Sequence, residues 1–244
     1  MRDLYAAMGT LHEIGDVLCL LMPSAPQSTM LNRAAGIGLT EPATEAELDE
    51  IVALFTDRGC SCSIPVAPDA QPPQLTRWLE KRGFSPGYAW MKFRSRVELP
   101  PPVDTDLRVE EIGDERSSEF GRVIADAYGI PGGLGEALAV VIGRPNWHCY
   151  LAFAGEKPAA GAALHAASGL GWLGIAGSLP DYRRRGGQNA LFAARMRKAV
   201  ELGLKLLVTE TGERLPDRPA NSYRNILRNG FEEAYLRPNW VRVT

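Results

Sequence analysis

The stretch that decides the fold of this chain is Pro180-Asp181-Tyr182-Arg183-Arg184-Arg185-Gly186-Gly187-Gln188-Asn189. It joins an apolar, strand-like run, Trp172–Leu179, to a helical pattern that begins at Asn189. The N–H groups at a helix start have no partner within the helix and carry the positive end of its dipole. Because glycine lets the backbone approach a ligand and arginine adds charge-assisted contacts, the stretch favours a phosphate site. Taken alone, the loop is equally compatible with a plain turn that has a solvated basic surface.

Composition indicates a globular protein of two domains. The chain has 244 residues, of which 45% are apolar and 23% charged. Its net charge is −2 and its pI is about 6.0. General nucleic-acid binding normally needs a basic field, so this charge argues against it. The arginine cluster is therefore local, which is typical of a site.

Cysteine and histidine usage predicts neither a metal site nor a redox site. The four cysteines show no zinc spacing and no Cys-x-x-Cys pair, and the three histidines are dispersed: Cys19, Cys60, Cys62, Cys149, His12, His148 and His165. No segment reaches the roughly 20 apolar residues that cross a bilayer, and acidic residues precede the short apolar run 17–22. We therefore expect free buried thiols, a cytoplasmic location and no membrane association.

A proline-rich segment, Leu99-Pro100-Pro101-Pro102-Val103, predicts the domain boundary because it is stiff and poor in hydrogen bonds. We expect an N-terminal domain at 1–98, a linker at 99–106 and a C-terminal domain at 107–244. The second part is predicted to contain strands at Leu107–Ile112, His148–Ala154, Ala159–Ala167, Trp172–Leu179 and Lys205–Thr211, helices at Glu115–Tyr128, Leu134–Gly143, Asn189–Leu202 and Ser222–Arg228, and final strands in Phe231–Val243.

The two halves look like copies of one another. Gly83–Tyr88 and Gly230–Tyr235 share the pattern Gly-Phe-x-x-x-Tyr, and each follows a strand, a helix, a glycine and a strand. The first half carries the acidic stretch Thr40–Glu50 where the second half has its arginines and glycines. Carboxylates at a helix start satisfy the dipole from within the chain and repel a pyrophosphate. The first copy is therefore predicted to have lost cofactor binding.

Two segments resemble motifs of the GCN5-related N-acetyltransferases (GNATs). Leu179–Gln188 resembles the acetyl-CoA loop of this family, Arg/Gln-x-x-Gly-x-Gly/Ala, in which Arg183 and Gly186 match and Gln188 departs from the final small residue. Asn221–Phe231, which ends in Arg-Asn-Gly-Phe, resembles the second cofactor motif. The resemblance implies an α/β fold (an α+β mixed sheet) of two GNAT-like halves. Each half is a mostly antiparallel sheet flanked by helices, and the central strands splay apart in the C-terminal half.

The resemblance also implies acetyl-CoA as acyl-donor cosubstrate and assigns residues to it. The backbone of Ala176, Gly177 and Ser178 would pair with the pantetheine amides like an added strand. The pyrophosphate would be held by the loop and the helix start, at Arg183, Arg184, Arg185, Gly186, Gly187, Gln188 and Asn189. Asn225 would reach the cofactor, with helix capping or surface exposure as the alternative.

Catalysis in this family is direct attack of a neutral amine on the thioester, which needs a base, an oxyanion donor and an acid. The Ser178 N–H is the candidate donor. Glu210 is the candidate base, and a structural ion pair is its alternative. The family often places a tyrosine acid where this chain has Ile226. Tyr223, one turn earlier, is the candidate substitute, with a merely packed tyrosine as the alternative.

The sequence thus predicts an N-acetyltransferase that acts in a ternary complex on a primary amine of a small molecule or peptide. No metal, nucleic acid or membrane is expected, and a homodimer is left open. The alternative is a regulatory or sensor module that binds acetyl-CoA without turnover, which Ile226 favours. A nucleotide-binding enzyme is the third option, but neither Gly-Lys-Ser/Thr nor Gly-x-Gly-x-x-Gly accompanies the loop.

Overall fold

The structure is a computed structural model that describes residues 2–217 and 219–244. Its helices are α1 (Arg2–Met8), α2 (Glu45–Thr56), α3 (Leu75–Lys81), α4 (Ser117–Tyr128), α5 (Gly132–Ala139), α6 (Gly187–Glu201) and α7 (Asn221–Arg228). Its strands are β1 (Thr10–Ile14), β2 (Val17–Leu21), β3 (Arg33–Ala35), β4 (Cys62–Pro65), β5 (Ser85–Arg96), β6 (Arg108–Ile112), β7 (Trp147–Ala154), β8 (Lys157–Ala167), β9 (Leu170–Ser178), β10 (Leu206–Gly212) and β11 (Glu232–Arg242).

The chain forms two compact units, Met1–Met91 with Tyr235–Thr244, and Lys92–Ala234. Strands β5 and β11 each contribute residues to both units. The predicted linker 99–106 contains neither helix nor strand and belongs to the second unit. The predicted division into a domain without a cofactor loop and an acetyltransferase domain stays a prediction.

In the first unit the strands follow the order β1-β2-β3-β4-β11-β5. β1–β2, β2–β3 and β4–β11 are antiparallel, and β3–β4 is parallel. Helix α2 buries Leu48, Ile51 and Phe55 in the core of this unit. Its start is closed by the Thr44 side chain, which accepts the N–H of Glu47 at 3.1 Å. The acidic helix start predicted for the first half is therefore present.

In the second unit the order is β5-β10-β9-β8-β7-β6. β6 to β9 are joined by antiparallel pairs, and β9–β10 is parallel. On β8, a Cβ at Gly161 would point towards Phe120 of α4, whereas the side chains of Ala160 and Ala162 pack with Leu191 of α6. Because neighbouring side chains of a strand point to opposite faces, α4 and α6 cover opposite faces of this sheet.

The mixed α/β architecture predicted from the sequence is confirmed. The predicted internal repeat is also present as two runs with the same order, β1-β2-β3-α2-β4-α3-β5 and β7-β8-β9-α6-β10-α7-β11. One element prediction is wrong: Phe231–Val243 holds the single strand β11 rather than several strands. Pro238 and Asn239 look like a turn in the sequence, but the strand continues through them because the Pro238 carbonyl accepts from the Val66 N–H at 3.0 Å and Asn239 pairs with Pro65 of β4. No helix in the described part of the chain is both long and apolar enough to cross a membrane.

Glu111, on β6, lies between two basic side chains of the second unit. Its carboxylate oxygens meet His148 Nδ1 at 2.7 Å and Lys198 Nζ at 2.9 Å. Partial burial opposes ionisation, but the hydrogen bonds from Lys198 and His148 outweigh it. They hold the pKa of Glu111 below its ordinary value of 4.5.

We expect Glu111→Gln to lower the melting temperature at pH 7 by about 2–4 °C, about 1 kcal/mol for a partly exposed pair. A carboxylate whose pKa is lower in the folded chain stabilises it above the unfolded pKa. That contribution is lost as the pH falls through the folded pKa. The melting curves of wild type and variant should therefore converge on acidification. Glu201→Gln, which removes only the exposed partner of Lys198, is the control. Equal melting of Glu111→Gln and wild type at pH 7 contradicts the prediction.

Candidate functional site

Strands β9 and β10 part in the middle of their length. Their parallel register runs from the pair Leu206–Leu170 to the pair Thr209–Leu173 and ends there. At that point the Thr209 hydroxyl donates to the Leu173 carbonyl at 2.7 Å. The remaining residues of both strands, 174–178 and 210–212, continue without pairing to each other. The gap between splayed strands that the resemblance implied is present in the second unit.

A β-bulge lies on β9 beside this gap. One residue of β8, Ala162, faces two residues of β9, Ile175 and Ala176. Ile175 has φ 47°, in the left-handed region that a β-branched residue rarely adopts. Such backbone costs about 1–2 kcal/mol and persists where the surrounding structure enforces it. The bulge therefore redirects the backbone of β9 at a defined level of the gap.

Hydrogen bonding shows which backbone groups face the gap. The Leu179 N–H donates to the Ala159 carbonyl of β8 at 2.9 Å. Alternation along an antiparallel pair then turns the N–H and C=O of Ser178 away from β8, towards β10, and those of Gly177 towards β8. Arg183 Nε, 3.4 Å from the Ser178 carbonyl oxygen, approaches from that side. The backbone of Ser178 thus faces the gap, where its carbonyl oxygen accepts from Arg183, whereas Gly177 faces β8.

The loop after β9 leads into an open helix start. Arg184 and Gly186 both adopt left-handed backbone, with φ 65° and 79°. Gly186 is the N-cap of α6, and no side chain caps the helix there. The N–H groups of Gly187, Gln188 and Asn189 therefore have no partner in the helix. This is the opposite of α2, whose start is capped by Thr44.

The three arginines of the loop differ in their surroundings. Arg183 and Arg184 are exposed, and the Arg184 guanidinium has no ion-pair or hydrogen-bond partner among the described residues. Arg185 instead forms an ion pair with Asp106 and stacks over the Tyr182 ring, 5.5 Å from its centroid. The side chain of Arg185 therefore anchors the loop, and Arg183 and Arg184 remain available for an anion.

Both glycines of the loop are also required by packing. A Cβ on Gly186 would lie 2.9 Å from the Asp104 carbonyl oxygen, and one on Gly187 would lie 2.9 Å from Leu107 Cδ1. The segment that precedes β6 thus runs directly beneath the loop. Thr105 adds a hydrogen bond from its hydroxyl to the Arg185 carbonyl at 2.6 Å. The loop conformation is consequently fixed from below by this segment.

Side-chain hydrogen bonds bring most of the other predicted cofactor residues together. Gln188 Nε2 donates to Ser178 Oγ at 2.9 Å. Asn229 Nδ2 donates to Asn189 Oδ1 at 3.1 Å and to the Asn225 carbonyl at 2.8 Å. Asn229, the C-cap of α7, was missed by sequence reasoning. Its only signal was its position before the Gly-Phe pair.

Glu210, the candidate base, forms an ion pair with Lys92 of β5. Both side chains are largely buried, with 25% and 17% of their surfaces exposed. An ion pair, the structural alternative for Glu210, is therefore present, with Lys92 as the partner. A role for Glu210 as base stays a prediction, and the ion pair would have to open for it.

Tyr223, the candidate acid, is packed and hydrogen-bonded. Its hydroxyl donates to Glu233 Oε1 at 2.5 Å, and its ring meets Phe93 edge-on at 4.9 Å between centroids. Burial and the Glu233 carboxylate raise the pKa of Tyr223 to about 12. The proton of Tyr223 is thus committed to Glu233, which favours a packing role. Ile226 is buried beside it on α7.

No three histidine, cysteine or acidic side chains come together as a metal site within residues 2–217 and 219–244. His148 contacts Glu111, and His165 packs against Trp147 with ring centroids 4.6 Å apart. Burial raises the pKa of the Cys19, Cys62 and Cys149 thiols to about 12, so they are protonated and unreactive at neutral pH.

Solved structures share this fold over nearly the whole chain. A GCN5-related N-acetyltransferase from Kribbella flavida is 21% identical to this chain, with a TM-score of 0.69. The alignment covers 98% of this chain and 91% of the Kribbella flavida chain. One from Sphaerobacter thermophilus is 12% identical, with a TM-score of 0.69, and the alignment covers 93% of this chain and 76% of the other. A tandem GNAT protein from the clavulanic acid biosynthesis pathway is 14% identical, with a TM-score of 0.67, and the alignment covers 93% of this chain and 78% of the other. No protein-family model and no curated protein matches the sequence. The chain has the GNAT fold.

Proposed function

We propose that this protein is an acyl-CoA-dependent N-acyltransferase that moves an acetyl group from acetyl-CoA to the primary amine of a small molecule or peptide. One observation carries the proposal: β9 parts from β10 and then leads, through a basic glycine loop, into a helix start that no side chain caps. The GNAT fold, found in acetyltransferases, supports acyl transfer in general.

The residues that surround the gap fit the parts of acetyl-CoA. The backbone of β9 beyond Leu173, at Ala176 and Ser178, is not paired with β10 and suits the two amides of pantetheine, which would extend between β9 and β10 like a strand. The uncapped N–H groups of α6, with Arg183 and Arg184, suit the pyrophosphate. The amides around Asn229 lie beside this helix start and would contact the remainder of the cofactor.

The transfer needs no covalent intermediate on the protein. The amine nitrogen attacks the carbonyl carbon, forming a C–N bond, and the C–S bond breaks with its electron pair going to sulfur. The proton that nitrogen loses ends on the thiolate, so the products are an amide and free CoA. What the chain supplies is orientation and a hydrogen-bond donor for the developing oxyanion, for which the Ser178 N–H is the candidate.

A sensor that binds acetyl-CoA without turnover is the second candidate, and specific contacts favour it. Glu210 is held by Lys92, Tyr223 is held by Glu233, and Ile226 stands where the family often has its acid. Measuring thiol release from acetyl-CoA with a panel of amines separates the two candidates. Release of CoA that depends on an amine supports the transferase. Binding by calorimetry without any release supports the sensor, and the absence of binding overturns both.

We expect Arg184→Gln to weaken acetyl-CoA binding about 10-fold by calorimetry, because one charge-assisted contact to phosphate is worth about 1.5 kcal/mol or more. The loss should shrink as salt is raised, since the contact is exposed. Arg197→Gln, at an exposed position on α6, the helix that follows the loop, is the matched control and should bind like wild type. Equal affinities of the two variants would contradict a phosphate contact at Arg184.

A further inference from the structure

Lys92, on β5, presents its primary amine beside the gap between β9 and β10. Strand β5 is the neighbour of β10 in the sheet, and the Lys92 ammonium forms an ion pair with the Glu210 carboxylate. Pairing of β9 with β10 ends at Thr209, so Glu210 is the first residue of β10 that borders the gap. The chain therefore holds an amine of its own at the end of the gap where the two strands part.

The thioester of bound acetyl-CoA would reach the same end of the gap. Under the proposed function the pyrophosphate lies at the loop after Ser178, and pantetheine extends from there along β9 towards Leu173. Pantetheine has the length of about four residues of extended chain, so its sulfur would come to the level of Gly174. The parallel register, continued by one residue, sets Glu210 level with Gly174. The thioester and the Lys92 amine would thus meet beside the Glu210 carboxylate.

On the basis of the proposed function, we propose that Lys92 is an acetylation site, modified by the acyl-transfer site of its own chain. The Lys92 ammonium passes one proton to Glu210, from which it leaves to water, and the neutral nitrogen attacks the thioester carbonyl carbon. A C–N bond forms, and the C–S bond breaks with its electron pair going to sulfur. The second proton, which the nitrogen loses as the amide forms, ends on the thiolate. The products are acetyl-lysine and free CoA.

Burial makes Lys92 a poor target for uncatalysed acetylation. Only 17% of its side chain is exposed, whereas Lys157 and Lys205 are exposed residues. Acetyl-CoA in solution reacts with the lysines that it can reach, so modification of Lys92 requires acetyl-CoA that is bound in the gap. Acetylation also removes the positive charge of Lys92 and so ends its ion pair with Glu210, as a role of Glu210 as base for other amines requires.

Mass spectrometry of the purified chain before and after incubation with acetyl-CoA alone tests this site. The peptide that contains Lys92 should gain one acetyl group at least about 10-fold faster than the peptide that contains Lys198, because a held amine reacts intramolecularly. For the same reason, the rate should not depend on the protein concentration. Lys198 is the matched control: its side chain is 23% exposed and forms an ion pair with Glu111, but β6 lies at the edge of the sheet, away from the gap.

Glu210→Gln should slow acetylation of Lys92 at least about 100-fold, the contribution of a general base. Its affinity for free CoA should stay within twofold of wild type and shows that the variant is folded. Faster acetylation of the exposed lysines than of Lys92, or a rate that rises with protein concentration, refutes modification by the chain's own site. If Lys92 stays unmodified while amines of the panel accept the acetyl group, the site at Lys92 is refuted and the proposed function stands. If wild type does not bind acetyl-CoA at all, both are refuted.

Discussion

Replacing Gly186 by valine should weaken acetyl-CoA binding more than about 100-fold, which calorimetry will measure. A side chain at this position meets the Asp104 carbonyl oxygen at 2.9 Å and the Thr105 Cβ at 3.0 Å. Both atoms belong to the segment that fixes the loop, so the loop must move instead. The N–H groups of Gly187 and Gln188 would then turn from the phosphate. Losing two charge-assisted hydrogen bonds of at least 1.5 kcal/mol each gives the stated factor.

Gly203→Val is the matched control for this variant. Gly203 follows the other end of α6 and has φ 66°, and a Cβ there has no neighbour within 4 Å. Both variants carry the same strain of about 1–2 kcal/mol from a left-handed valine. Only Gly186→Val should lose acetyl-CoA. If both variants lose acetyl-CoA binding equally, the loss is caused by backbone strain at the helix ends, and the loop is not the phosphate site.

The order of helices and strands was predictable because periodicity and turn residues are local. Helix α6, for example, follows from its apolar spacing and from Gly203, and the open start of α6 follows from Gly186 and Gly187. The division into compact units was not predictable. Which strand lies beside β4 or β10 depends on pairing between distant segments, and the alternation within β5 and β11 carries no information about it.

The partners of the candidate site residues were also beyond the sequence. Lys92 meets Glu210 across 118 positions, and Asp106 meets Arg185 across 79. No spacing rule connects such residues, so the sequence left open whether Glu210 acts as a base or forms an ion pair.

Helices α4 and α5 cross closely. A Cβ on Gly135 would meet the Gly121 carbonyl oxygen at 2.3 Å and the Ala125 Cβ at 2.8 Å, so the two helices touch through backbone. We expect Gly135→Ala to destabilise the protein by about 3 kcal/mol, because one added methyl must push two packed helices apart. Thermal unfolding should show a fall in melting temperature of about 6–12 °C.

Gly133→Ala adds the same methyl to the same helix where no atom lies within 4 Å. It should be neutral or stabilise the chain by up to about 1 kcal/mol, since alanine loses less backbone freedom in a helix than glycine does. A Gly135→Ala protein that melts like Gly133→Ala would show that the contact between α4 and α5 accommodates the added methyl group without loss of stability, which would contradict the prediction.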